Sequence, residues 1–238
     1  MANWFSRKSR RIEAPKLRPR SDDFATTKLE LAEFTPPLLE YLGRAAYVQL
    51  MIFENLSRSL SSAPTTAAKA AISRAAELSI ARHAALAAEI EKASGTVADA
   101  MEPYVVPVDI FERDTRGGDW YESLITCYLA AGFLDDFYAR LSQGLPADIA
   151  RRIQAIYASE TGEALLAQQL LRGIEENPRL ASRLAMWGRR LVGDTMLVAR
   201  SALHFTDDHK SDEARVEPVF TELIAAHTRR MDALGLTA

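Results

Sequence analysis

The sequence predicts an all-α protein built on a four-helix bundle, with a long crossover between helices 2 and 3 and two additional C-terminal helices. Apolar residues recur every three or four positions through long segments, which is the spacing of one helix face. No segment reads as a strand. Residues 95–118 form an unusually long connection, and a bundle with a crossover at that point accounts for its length.

The first two helices are bounded by clear start and stop signals. Thr35-Pro36-Pro37 opens helix 1 near residue 36, and residues 61–64 close it. Helix 2 is predicted from about Thr66 to Ser94, with Gly95 as its C-cap. Each helix carries an apolar stripe with one polar interruption. The stripes are Leu38, Leu42, Ala45, Gln49, Ile52, Leu56, Leu60 and Ala68, Ile72, Ala76, Ile80, His83, Ala87, Ile90.

The remaining helices follow in order after the crossover. Asp119 is the expected N-cap of helix 3, which runs to about Gln143. A tight turn at residues 144–146 leads into helix 4, whose apolar stripe extends to Ile174. Helix 5 is predicted over 177–205 and a last helix over 214–234, both packed on the outside of the bundle.

Two glutamates interrupt the stripe of helix 4. Glu160 and Glu163 lie one turn apart, so a continuous helix would project them into the same apolar layer. Burying an unpaired carboxylate costs several kcal/mol, which requires a cation, a proton or hydrogen-bond donors nearby. The stripes therefore predict a polar site in the bundle core made of Gln49, His83, Glu160 and Glu163.

Composition indicates one helical domain over residues 35–238. With 238 residues and 48% hydrophobic content, the chain can bury a substantial core. The longest uncharged apolar run, Leu124 to Leu134, is well short of the roughly 20 residues that span a bilayer. The single cysteine, Cys127, excludes an intramolecular disulfide and is expected to be a buried, inert thiol. These features predict a cytoplasmic protein without a transmembrane segment.

Residues 1–34 are predicted to be a basic, disordered N-terminal arm. Residues 1–20 carry a net charge of +6, which leaves −9 on the rest of a chain whose total is −3. A solvated leader is the simplest interpretation. Weak contact of residues 1–20 with RNA phosphates, or with an anionic membrane surface, is the functional alternative.

Five segments between about Leu38 and Leu203 carry a resemblance to a known family. The segments are AAYVQLMIFENLS (45–57), MEPYVVPVDIF (101–111), DWYESLITCYLAAGFLDDFYARL (119–141), ETGE (160–163) and RLAMWGRRLVGD (183–194). They resemble ferritin-like proteins related to the tRNA hydroxylase MiaE, especially the actinobacterial branch. The resemblance implies a non-haem di-iron centre with carboxylates on all four bundle helices, an E-x-x-H motif on the second and fourth, and hydroxylation of a modified tRNA adenosine.

Most metal ligands that the resemblance implies are replaced in this sequence. The glutamate of helix 1 falls on Gln49, whose amide binds iron far more weakly than a carboxylate. The E-x-x-H motif of helix 2 falls on residues 80–83, where Ile80 replaces the carboxylate and His83 remains. The acidic position of helix 3 falls on Ala131. Helix 4 keeps Glu160 but has Glu163 in place of the histidine, so the di-iron site is predicted to be degenerate.

Three arrangements of the predicted core site remain open. A protonated His83 between Glu160 and Glu163 would form a metal-free ion network, which is the first expectation. The same three residues could instead hold one iron, manganese or zinc ion as a mononuclear site. They could also be ordinary core polar groups, satisfied by one another and by buried water.

Two functional classes follow from these arrangements. The first is a non-catalytic binding or scaffold protein with no cofactor, acting as a homodimer or with a protein partner. The second is a metal-dependent, non-haem iron oxidoreductase that modifies tRNA. No catalytic residue can be assigned in either class.

Several other residues receive structural interpretations. Asp135 and Asp136 are expected on a solvated face of helix 3, and a displaced core carboxylate one turn after Ala131 is the alternative. His227 is expected to be exposed. Trp187 is expected to pack helix 5 on the bundle, with Gly188 permitting a close approach.

Overall fold

A computed structural model of the protein describes residues 31–206 and 208–236, without the side chains of His209 and Lys210. Every regular element in these ranges is a helix, which confirms the all-α class. None of the helices in these ranges is long and apolar enough to cross a membrane. The α-helices are α1 (Leu38–Ser59), α2 (Thr66–Lys92), α3 (Val97–Met101), α4 (Val105–Asp114), α5 (Trp120–Leu141), α6 (Ala147–Tyr157), α7 (Glu163–Glu176), α8 (Arg179–Arg200) and α9 (His209–Ala233).

Four long segments surround the core: α1, α2, α5, and α6 followed by α7. The α1–α2 pair is antiparallel, because Gln49 contacts Ser79 while Ala46, nearer the start of α1, contacts His83 further along α2. The basic N-terminal residues 1–30 lie outside the described part of the chain. Leu31 and Phe34, which the prediction placed in the arm, are buried in a short 3₁₀ turn against the bundle.

The connection between α2 and α5 is a crossover along the outside of α1. The α3 backbone at Ala100 lies directly against Gly43, where a Cβ atom would collide with it. Further along, the Tyr47 hydroxyl donates to Asp109 (2.7 Å). The predicted topology is therefore present, but the crossover is helical: α3, a 3₁₀ turn and α4 together occupy residues 97–114.

The fourth bundle helix is broken, in contrast to the continuous helix that the sequence predicted. α6 ends at Tyr157 and α7 begins at Glu163. Gly162 has a φ of +75°, a left-handed conformation that ends helical geometry at little cost only for glycine. The Thr161 hydroxyl accepts a hydrogen bond from the Glu163 backbone amide (3.1 Å). A turn residue thus satisfies one of the free N–H groups at the start of α7.

The two C-terminal helices pack on the outer side of α5, as predicted. The Trp187 indole donates to the Thr126 hydroxyl (2.8 Å), and Gly188 lies close to side chains of α5 and α9. His227 was expected to be exposed, and this is wrong: it is 3% exposed, and its ring lies 3.1 Å from the Gly188 carbonyl oxygen. Burial lowers the pKa of His227, which keeps the imidazole neutral.

We predict that Gly162→Ala destabilises the protein by about 3 kcal/mol, because it combines left-handed strain with overpacking. The new Cβ would lie 2.9 Å from both the Cα and the Cβ of Ala75 on α2. Gly235 is the matched control, since its φ is +69° but, apart from its chain neighbours, no atom of the described residues lies within 4 Å of its Cβ position. Gly235→Ala should cost only about 1 kcal/mol in urea unfolding. Equal costs would contradict a close contact between the break and α2.

Candidate functional site: a buried ion pair in the bundle core

Polar side chains from all four bundle helices meet in the core. They are Gln49 from α1, Arg82 from α2, Asp135 from α5 and Tyr157 from α6. Side chains converging from facing helices are the means by which helix bundles build ligand and metal sites. This layer is therefore the candidate functional site.

Asp135 and Arg82 form an ion pair at the centre of this layer. One Arg82 guanidinium nitrogen donates to Oδ2 of Asp135 (2.5 Å), and the Gln49 amide donates to Oδ1 (2.7 Å). Arg82 also donates to the Ser159 carbonyl oxygen (3.2 Å), and its guanidinium lies 5.5 Å from the centre of the Tyr157 ring. The side chains of Arg82 and Asp135 are 3% and 13% exposed, so water screens the pair only weakly.

Burial shifts the titration of the groups in this layer. Desolvation raises the pKa of Asp135, and the Arg82 and Gln49 side chains oppose that rise. Desolvation also raises the pKa of Tyr157 far above its usual value, so this phenol stays neutral. The Tyr157 hydroxyl is itself buried, close to the Tyr41 side chain. The layer thus holds one carboxyl group, one permanent cation and one neutral phenol.

The structure confirms the predicted burial of Gln49 but corrects the register of α2. Gln49 is 1% exposed. On α2, Ser79, Arg82 and Leu86 are buried, whereas Ile80 and His83 are only half-buried. Ala68, Ile72, Ala76 and Ile90 of the predicted stripe are buried as expected, but its middle part is displaced by one residue. His83 therefore contacts the Ala46 carbonyl oxygen (2.9 Å) rather than the centre of the core.

Glu160 and Glu163 do not lie side by side in an apolar layer, because the helix break separates them. The Glu160 side chain is 61% exposed and pairs with Arg74 at 3.2 Å. Glu163 is the first residue of α7, is 39% exposed and pairs with Arg230 of α9 at 3.1 Å. The expected ion network of these glutamates with His83 is therefore absent from the structure.

The residues of the core layer do not fit a di-iron centre. Among the residues that the structure describes, no three His, Cys, Asp or Glu side chains are grouped so as to hold a metal ion. The layer offers a single carboxylate, and both of its oxygens already accept hydrogen bonds. The guanidinium of Arg82 has donors only and repels a divalent cation. Ala131, at the expected acidic position of α5, lines a cavity beside the layer.

Sequence reasoning missed Arg82 and Tyr157, and it ranked Asp135 as a core carboxylate only second to a solvated position. α2 is rich in alanine, which is accepted on a buried face and on an exposed face. Its sequence pattern therefore does not show which face of the helix is buried. The signal for Asp135 was the apolar run Leu124–Leu134 just before it. α5 is buried on nearly all sides because α8 and α9 cover its outer face, so the expected solvated face for Asp135 does not exist. Asp136, one residue further, is 37% exposed and pairs with Arg230.

A cavity of about 270 Å³ adjoins the ion pair where the fourth helix is broken. Its walls come from α5, from the α6–α7 break and from α9. Cys127 is among the lining residues, and burial raises the pKa of its thiol to about 12. The thiol is 5% exposed, which confirms a buried cysteine, and its high pKa makes it a poor nucleophile.

These features define a helical bundle that assembles polar groups from its four core segments at one internal point. A family model described as "Ferritin-like domain, actinomycetes" matches residues 32–209. The chain belongs to this ferritin-like family. A search of curated proteins found none that matches the sequence.

We predict that Arg82→Met destabilises the protein by about 3–5 kcal/mol at about pH 8, because it leaves Asp135 buried and unpaired. Without Arg82, the folded-state pKa of Asp135 rises further above its unfolded value. Stability is then lost as pH rises through that folded pKa, so the cost should be smaller at about pH 5, where the carboxyl group is protonated. Urea unfolding of both proteins at the two pH values measures this difference.

Two variants serve as controls. Arg82→Met combined with Asp135→Leu removes both charges, and its stability should lie within about 1–2 kcal/mol of wild type at both pH values. His83→Leu removes one contact of a half-buried ring and should cost about 1 kcal/mol. A cost for His83→Leu as large as that for Arg82→Met would mean that the α2 register is wrong.

Proposed function

We propose that this protein is a ferritin-like bundle in which an arginine–aspartate ion pair replaces the di-iron centre, and that it acts as a non-catalytic binding or scaffold protein. The observation that carries the proposal is the position of Arg82, whose guanidinium is buried in the layer where all four bundle helices meet. A covalently attached cation there already compensates the one buried carboxylate. A metal ion binding at this point would have to displace the Arg82 guanidinium.

The alternative is a metal-dependent, non-haem iron oxidoreductase that modifies tRNA, as the resemblance to MiaE-related proteins implies. It requires iron, manganese or zinc to bind despite the positive charge of Arg82. The donor set supports the first proposal over this one, because Gln49, Ser79 and Tyr157 are neutral and only Asp135 is a carboxylate. Metal content separates the two proposals directly.

We predict that protein purified without chelator from iron- and manganese-supplemented cells contains far less than one metal ion per chain by elemental mass spectrometry. The matched variant is Gln49→Glu, Ser79→Glu, Arg82→His and Tyr157→Glu, which with Asp135 gives carboxylates on four helix segments and an E-x-x-H motif on α2. This variant should take up iron. Near-stoichiometric metal in the wild-type protein would support the oxidoreductase and contradict the scaffold proposal.

A second variant tests the register rather than the chemistry. Gln49→Glu, Ile80→Glu, Ala131→Asp and Glu163→His restores ligands at the positions that the sequence alone suggests. It should bind no iron, because the half-buried Ile80 and the surface-paired Glu163 do not face the core layer. Circular dichroism with and without iron shows whether each variant folds.

A protein partner or a second copy of the chain is the proposed binding partner. α4 exposes Val106 (67%) and α8 exposes Met186 (67%) and Leu197 (65%). The two α8 residues are about three helical turns apart and therefore lie on the same face. α4 and α8 pack against each other, so their exposed apolar side chains support a contact surface. Weak RNA contact through residues 1–20 is a separate proposal about residues outside the described part.

We predict that the wild-type protein is a homodimer in sedimentation analysis and that Val106→Ser with Leu197→Ser shifts it towards monomer. Both side chains are largely exposed, so folding should be unaffected. Leu171→Ser, at a 37% exposed position on α7, is the control and should leave the mass unchanged. A monomeric wild-type protein would contradict the homodimer, and the proposed partner would then be a different protein. Binding of that partner should be lost in the Val106→Ser, Leu197→Ser variant.

A further inference from the structure

The break in the fourth helix exposes a cavity that a continuous helix would fill. On one side, α5 presents small residues, Ala131 and Gly132, and on the other side the chain turns away from α5 between Tyr157 and Glu163. Arg230 closes part of the rim by packing against Gly132, where any Cβ atom would collide with its side chain. The cavity volume of about 270 Å³ suits a small organic molecule.

The rim of this cavity carries more negative than positive charge. Arg230 donates to Oδ2 of Asp136 (2.9 Å) and to Oε1 of Glu163 (3.1 Å), so two carboxylates share one guanidinium. Inside, Asp135 is already neutralised by Arg82. One negative charge at the rim is therefore not balanced by the groups that line the cavity, and this favours a cationic ligand.

The inner lining of the cavity is mostly apolar. Cys127, Tyr128, Ala131 and Leu166 supply a thiol, aromatic surface and aliphatic surface. Tyr157 belongs to the same lining and is 8% exposed, and its hydroxyl is inaccessible to water, so the phenol contributes its ring rather than its hydroxyl to the cavity wall. A ligand that fits this lining therefore has an apolar body.

We propose that this cavity binds a small primary amine with an apolar body, whose ammonium group lies between Asp136 and Glu163 and whose apolar part lies against Ala131, Tyr128 and Leu166. An ammonium group is compact and has three N–H donors, so it can donate to both carboxylates at once. Among the described residues, the Asp136 and Glu163 carboxylates have only the Arg230 guanidinium between them as a partner. The proposal rests on the proposed binding function and gives it a ligand class. Arg230 competes with the ligand for the same two carboxylates.

The test is calorimetric titration of the full chain with 2-phenylethylamine, compared with the neutral 2-phenylethanol and the anionic phenylacetate. These three probes share a phenyl ring and differ chiefly in the charge of the head group. Saturable binding of one amine per chain is expected, with affinity at least about tenfold above that of the alcohol and the carboxylate. Equal affinity for the three probes, or no saturable binding of the amine, would overturn the proposal.

Charge variants of the rim locate the binding site. Glu163→Gln should weaken amine binding about tenfold, and Arg230→Gln should strengthen it by removing the competing cation. Glu160→Gln makes the same change in charge three residues away, at a side chain that pairs with Arg74 and does not line this cavity. It should change the affinity by less than about twofold. Equal effects of Glu160→Gln and Glu163→Gln would contradict the assigned site.

The titration uses the same preparation whose metal content has been measured. Failure of the amine-binding proposal can therefore be distinguished from failure of the non-catalytic function. Absence of amine binding in metal-free protein overturns the ligand assignment alone. Stoichiometric metal overturns the non-catalytic function whatever the amine does. Because Glu163 and Glu160 are both substantially exposed, neither substitution should prevent folding, and thermal unfolding of each variant checks this.

Discussion

The ion pair of Arg82 and Asp135 is the constraint that organises this bundle. A buried carboxylate needs compensation, and here a guanidinium from α2 supplies it across the core while the Gln49 amide binds the other oxygen. The contacts join α1, α2 and α5 at one point, and Arg82 extends them to the α6–α7 break through the Ser159 carbonyl oxygen. Such a pair fixes the relative register of helices more strongly than apolar contacts, because a shift would strand a charge.

The sequence predicted the architecture well because helix spacing and turn residues are local signals. The bounds of α1 and α2, the crossover and the packing of two C-terminal helices all followed from them. The residues of the core site could not be predicted in the same way. Choosing them requires knowing which face of α2 is buried, to within one residue. Alanine is tolerated on both faces of a helix, so the choice between His83 and Arg82 is made by tertiary packing.

The break in the fourth helix shows a different limit. The segment Ser159-Glu160-Thr161-Gly162 has turn-forming residues, but its apolar spacing continues on both sides and hides the interruption. The close contact of Gly162 with Ala75 of α2 leaves no room for a side chain there, and the left-handed backbone of Gly162 independently favours glycine. One local departure from helical geometry thus moved two predicted ligands, Glu160 and Glu163, from the core to the surface and opened the cavity beside the ion pair.

The proposed replacement of a metal centre by an arginine would also change what the fold depends on. A metal-centred bundle gains stability by mass action and is weakened when chelators or scarcity lower the free ion concentration. The cation in this core is part of the polypeptide, so its effective concentration is constant. On the proposed function, the native state does not depend on cellular iron supply at that layer, and protein made during metal starvation should reach the same folded structure.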